Sequence, residues 1–218
     1  MKFFVDTANL KEIEEAQSLG ILDGVTTNPS LMAKEGITGN ENIINHYKKI
    51  CEIVTGDVSA EVISTDFDGI VKEGKELAAL HEQIVVKVPM ISEVIKAIKY
   101  FSENGIKTNC TLIFSTGQAL LAAKAGATYI SPFIGRIDDI SSNGIELISE
   151  IRMIFDNYDF ETEILAASIR GPMHIIDCAK IGADVVTTPL KSIKGLLNHP
   201  LTDIGLEKFL DDYKKGNK

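Results

Sequence analysis

The feature that most narrows the fold is a junction repeated along the chain: a stretch with helical periodicity ends on glycine, and a short run rich in β-branched residues follows at once. It occurs at Leu19-Gly20-Ile21, Asn104-Gly105-Ile106, Ala125-Gly126-Ala127 and Ile181-Gly182-Ala183. Glycine just past a helix adopts the left-handed conformation that turns the chain back into a strand. Helix starts fit the same scheme, with Asn9 placed to cap a helix whose third residue is Glu12, and Pro172 at a first helical position. Strands are expected at 2–6, 21–26, 57–63, 83–88, 106–112, 127–132, 163–168 and 184–188, each separated from the next by a helical segment. Strict alternation implies a parallel sheet, and eight units in one domain imply a closed (β/α)8 TIM barrel. A doubly wound open sheet is the competing arrangement. Such sheets usually carry a G-x-G-x-x-G or Walker-type loop after a strand, and this chain has neither.

A chain of 218 residues, 44% hydrophobic and 24% charged, suits one domain spanning 1–218 and buries roughly 70% of its unfolded surface. Residues 203–215 form an additional C-terminal helix with Leu206, Phe209, Leu210 and Tyr213 on one stripe. That stripe wants cover, either from its own barrel or from a neighbouring subunit. The tail Lys214-Lys215-Gly216-Asn217-Lys218 is expected to fray.

A net charge of −9 argues against nucleic-acid and anionic-membrane partners. No apolar run approaches the length of a membrane span, and the apolar start Phe3-Phe4-Val5 is cut by Asp6, so a cytoplasmic protein is expected. Cys51, Cys110 and Cys178 share no ligand spacing, and His46, His81, His174 and His199 form no His-x-x-x-His pair, so no metal site is expected.

Lys87 interrupts an otherwise apolar strand, Ile84-Val85-Val86-Lys87-Val88-Pro89. A lysine there either snorkels from a strand end or sits desolvated, which is how lysines form imines with carbonyl substrates. Barrel active sites lie at the carboxyl ends of strands, so polar residues ending the other apolar runs belong with it. They are Asp6, then Thr26-Thr27-Asn28, Glu61, Asn109 with Thr111, Ser131 with Phe133 and Arg136 beyond it, and Ser168 with Arg170. Alternation puts Asn109 and Thr111 on one face with Cys110 toward the helices, and pairs Ser131 with Phe133 and Ser168 with Arg170.

Five separated segments carry a resemblance: GVTTNPS (Gly24 to Ser30), VVKVP (Val85 to Pro89), NCTLIFS (Asn109 to Ser115), SPFIGRID (Ser131 to Asp138) and AASIR (Ala166 to Arg170). Over essentially its whole length the chain resembles the small single-domain transaldolases and the related fructose-6-phosphate aldolases. The resemblance implies a class I barrel in which Lys87 forms a Schiff base with C2 of a ketose phosphate and Asp6 exchanges the C4 hydroxyl proton. It implies that Glu61 and Thr111 handle an ordered water, that Asn28, Asn109 and Ser131 hold the dihydroxyacetone hydroxyls, and that Arg136, Arg170 and Ser168 take the phosphate. Paired guanidinium groups suit that anion.

Glutamate at 61 and phenylalanine at 133 mark the transaldolase branch; the aldolase branch has glutamine and tyrosine there. The implied reaction moves a dihydroxyacetone unit between sugar phosphates, from sedoheptulose 7-phosphate to glyceraldehyde 3-phosphate, giving erythrose 4-phosphate and fructose 6-phosphate, and it needs no cofactor or metal. Two alternatives stay open: cleavage of fructose 6-phosphate to free dihydroxyacetone, and a sugar-phosphate binding protein without chemistry. The resemblance also implies a ring-like homo-oligomer, a pentamer or decamer.

Overall fold

The computed structural model describes residues 1–216 and is a closed barrel of eight parallel strands. These are β1 (Lys2–Asp6), β2 (Gly24–Thr26), β3 (Asp57–Glu61), β4 (Ile84–Pro89), β5 (Thr108–Ile113), β6 (Tyr129–Pro132), β7 (Glu163–Ala166) and β8 (Val185–Thr188). Each pairs with its sequence neighbours, and β1 with β8 closes the ring through Phe4 opposite Thr187 and Val5 opposite Thr188.

The outer layer comprises α1 (Leu10–Ser18), α2 (Pro29–Lys34), α3 (Asn40–Ile53), α4 (Phe67–Ala78), α5 (Ser92–Glu103), α6 (Thr116–Ala125), α7 (Ile134–Asp138), α8 (Gly144–Asn157), α9 (Pro172–Ile181) and α10 (Leu190–Gly195). The sequence signals act as anticipated. Gly20, Gly105, Gly126 and Gly182 all have φ between 68 and 94°. Asn9 Oδ1 accepts from the Glu12 N–H at 3.1 Å, although the Glu12 carboxylate accepts from Thr7 instead of closing the box on Asn9. Pro172 opens α9.

Several strands are shorter than expected. Residues 21–23 are not strand, because Asp23 is spent tying the loop to β1, its N–H donating to the Phe3 carbonyl and its carboxylate accepting from the Phe3 N–H. β3 and β7 end two residues early, at Glu61 and Ala166. Ser168 has a φ of 59°, so alternation does not carry through Ser168 to Arg170; a turn separates them. Phe133 likewise lies past β6, held by an isolated bridge to Ala167. In β5 the register shifts between Cys110 and Ile113, and Leu112 sits at a φ of 58°. Left-handed backbone at leucine is uncommon and clusters at functional sites.

Outward strand residues such as Val86, Val88, Cys110, Ile130 and Val186 pack under the helices. Inward, Phe4, Val85, Tyr129, Leu165 and Val185 form a separate apolar layer that fills the lumen. Below them, at the amino ends of the strands, Lys107 and Tyr129 converge on Asp57, and Lys2 pairs with Glu163. The floor of the barrel is therefore solid, and its polar lumen begins one layer above, where Lys87 lies.

The C-terminal helix α11 runs from Pro200 to Gly216, longer than the expected 203–215, and remains helical where fraying was anticipated; Asn217 and Lys218 lie outside the described residues. It buries no residue, and Leu206, Phe209 and Leu210 are at least half exposed. Packing against its own barrel is thus not how the stripe is covered.

Candidate active site

Lys87 is 6% exposed, at the centre of the lumen. Its Nζ donates to the Thr27 carbonyl at 2.9 Å and pairs with Glu61 at 3.1 Å. β3 and β4 put that carboxylate there, because Glu61 and Lys87 are register partners with the same inward orientation. Thr27 is held in turn: its hydroxyl donates to the Ser59 carbonyl and accepts from Tyr47, each at 3.0 Å. Burial pushes the Tyr47 phenol above its ordinary value, and the nearby Glu61 charge adds to this, so it remains a donor at neutral pH although contacts with Thr27 and the Glu61 backbone oppose the shift.

A cavity of about 270 Å³ opens above the lysine. Asp6, Asn28, Lys87, Thr111 and Ser131 line its inner part. Phe133, Arg136, Ser168 and Arg170 line its rim. Glu61 is on the far side of Lys87, lining an adjoining cleft with Thr111, Asn28 and Arg136. Asn109 is fully enclosed; its amide donates to Ser59 Oγ at 3.1 Å and accepts from Ser131 Oγ at 2.7 Å, so it orients Ser131 instead of facing the cavity.

Asn28 caps α2, its Oδ1 accepting from the Leu31 N–H at 2.9 Å, which turns its amide nitrogen into the group left for a ligand. Thr111 Oγ1 is buried with no protein partner, an orphaned polar group beside the lysine. Such a group wants a hydrogen-bonding visitor. Cys110, between Asn109 and Thr111, faces the helices as alternation requires; burial raises its thiol to about 12, so it is inert.

The rim is built differently. Arg136 lies over the Phe133 ring at 5.0 Å, and Phe133 meets Phe114 edge-on. Arg170 is exposed and its guanidinium is joined to Asp139 at the end of α7. Gly135 makes this approach feasible: a Cβ there would sit 2.3 Å from the Ser168 carbonyl and 2.5 Å from Arg170 Nε. The Arg170 backbone N–H donates to His174 Nδ1, which leaves Nε2, 3.1 Å from Asp138, as the ring nitrogen that faces the carboxylate.

Sequence reasoning missed Thr187, which lines the cavity; Thr26, collected among the polar strand ends but given no role, does the same. The alternation rule that picks out Asn109 and Thr111 also picks out Thr187, two residues after inward-facing Val185. Asp139 carried no local signal. Among the described residues no cluster of three His, Cys, Asp or Glu side chains is set to hold a metal ion, and no helix is long and apolar enough to cross a membrane.

A closed (β/α)8 barrel with one buried lysine beneath a polar cavity at the carboxyl ends of its strands defines the class. The fold alone is shared with proteins of other chemistry, such as the thiamine phosphate pyrophosphorylase of Pyrococcus furiosus, 15% identical with a TM-score of 0.61 over 86% of this chain and 85% of that one. Residues 3–217 match the family described as transaldolase/fructose-6-phosphate aldolase, and the chain belongs to that family. It is similar to a probable transaldolase of Cytophaga hutchinsonii, 71% identical over all of both chains. A probable transaldolase of Flavobacterium psychrophilum is 70% identical, again over the whole of both chains.

Proposed function

We propose that the protein is a transaldolase, moving a dihydroxyacetone unit between sugar phosphates through an imine on Lys87. The observation that carries this reading is the Lys87 amine, buried and held between the Glu61 carboxylate and the Thr27 carbonyl at the bottom of a cavity whose rim bears two arginines. For attack on a ketone the ammonium must lose a proton, and Glu61 is in place to receive it, with Thr111 as the second anchor for a water. Dehydration of the carbinolamine leaves a protonated imine at C2. Asp6 takes the C4 hydroxyl proton, the C3–C4 electron pair moves into the iminium, and an aldose departs, leaving an enamine that adds to the next aldehyde.

Phosphate enters at the rim between Arg136 and Arg170, and Ser131 with the Asn28 amide meets the dihydroxyacetone hydroxyls. Transfer is favoured over release of free dihydroxyacetone because position 133 offers the cavity a ring without a hydroxyl, leaving no phenol to activate water there. The named activity of the two relatives supports the same choice.

We further propose a homo-oligomer in which α11 docks on a neighbouring subunit, supported by its lack of any buried residue. Light scattering of the full chain against residues 1–199 tests this; the same number of subunits in both would overturn it. Charged sugar phosphates as substrates argue for a cytoplasmic location. The central test is borohydride reduction in the presence of fructose 6-phosphate, followed by peptide mass mapping. The adduct is expected on Lys87, and an adduct elsewhere or none at all overturns the reading.

A further inference from the structure

Behind Asp6 lie two hydroxyls with no part in the chemistry above. Thr26 Oγ1 is 2.7 Å from Asp6 Oδ1 and 2.5 Å from Thr187 Oγ1. Both threonines are buried, on the strands that flank β1, and both line the cavity. Counting protons orders the chain. A hydroxyl donates once and an ionised carboxylate only accepts, so Thr26 gives its proton to Asp6 and Thr187 gives its proton to Thr26. The direction is therefore fixed, from β8 to β2 to β1.

We propose that Thr187 and Thr26 are positioning residues for Asp6, a role that rests on the transaldolase reading of the site. Asp6 Oδ1 is committed as an acceptor, and Oδ2 is the oxygen that takes the C4 hydroxyl proton and gives it back. A carboxylate pinned at one oxygen cannot rotate away from the sugar, and the bond to Thr26 tightens or relaxes as Oδ2 loses or gains its proton. Thr187, its own proton spent, meets the cavity only as an acceptor.

The same strand supplies a control. Thr188 is the adjacent residue, fully buried, and faces the helices; its hydroxyl has no partner. Threonine to valine keeps the shape and removes the hydroxyl, so Thr188→Val isolates packing effects from the hydrogen-bonded chain.

The test combines borohydride trapping of fructose 6-phosphate on Lys87, which reports imine formation, with steady-state transfer to erythrose 4-phosphate. Thr187→Val and Thr26→Val are expected to trap at the parental rate, to keep KM within about two-fold, and to lose about 10- to 100-fold in kcat. Thr187→Ser is expected to restore kcat, and Thr188→Val to match the parent. Parental kcat in Thr187→Val with trapping intact would overturn this inference alone. A loss that Thr187→Ser does not repair, or that Thr188→Val shares, would also overturn it by assigning the effect to packing. Should Thr187→Val not fold, Thr26→Val breaks the chain one link closer to Asp6, and parental kcat in that variant overturns the inference in the same way. Failure of the parent protein to trap at Lys87 removes the transaldolase reading itself, and this inference with it.

Discussion

The inner end of the cavity and its rim solve different problems with similar residues. Lys87 and Glu61 face each other from adjacent strands, are largely buried, and have fixed partners. Arg170 and Asp139 are also an ion pair, but both are more than half exposed and both sit on segments outside the strands. A buried pair is costly to break because the survivor keeps an uncompensated charge, whereas an exposed pair contributes little and exchanges partners readily. In the proposed reaction, the groups that must hold a direction are on the rigid lattice. The group proposed to grip and release a doubly charged phosphate stands on a turn, paired meanwhile with the protein's own carboxylate.

If the contrast is sound, substitutions at the two ends separate into kcat and KM effects of unequal size. Lys87→Met should lose at least about 10⁴-fold in kcat while still binding sugar phosphate, measured by transfer assays and calorimetric titration. Activity near the parental level in that variant would sink the assignment of chemistry to the inner end. Arg170→Ala should raise KM about 10- to 100-fold and change kcat far less, as expected for one charged hydrogen-bonding partner of the phosphate. A fall in kcat with unchanged KM would move Arg170 out of the rim class.

Asp139→Asn sharpens the comparison further, because it removes the competitor for Arg170. KM should fall by no more than about five-fold, since an exposed pair is worth little; a rise in KM would mean that Asp139 positions Arg170 instead of merely parking it.

The smallest effect concerns the wall beside Glu61. Glu73 accepts from the Ile63 and Ser64 N–H groups and from the Ser64 hydroxyl, fixing the loop that leaves β3. Partial burial raises its carboxyl pKa, but these three hydrogen bonds outweigh that and the nearby Asp66 charge, leaving it below the ordinary 4.5. The unfolded chain therefore binds the proton more readily, so the contribution is full above pH 4.5 and is lost as pH falls through the lowered folded value. Urea unfolding of Glu73→Gln should differ from the parent most at about pH 7 and progressively less toward about pH 3.5. A gap that widened with acid would reverse the sign of this account.

Much of this architecture could be read from the chain before any coordinates. The glycine joints act locally, through the left-handed φ that glycine adopts without penalty, so Gly126 and Gly182 announce their turns. The inward carboxylate, lysine and threonine could be selected because alternation is a property of the strand alone. What stayed hidden depends on partners distant in sequence. Nothing near Asn109 says that Ser59 and Ser131 will meet its amide, and nothing near Asp139 says that Arg170 will meet it. Left-handed Ser168 and Leu112 escaped because neither residue type favours that backbone, so the surrounding fold must impose it.

The solid floor of the barrel has a kinetic consequence. With Phe4, Val85, Tyr129, Leu165 and Val185 filling the lumen below Lys87, the donor and acceptor sugars of the proposed reaction must both approach from the carboxyl ends of the strands. The first aldose must vacate before the second can enter, so double-reciprocal plots should run parallel and the scheme should be ping-pong.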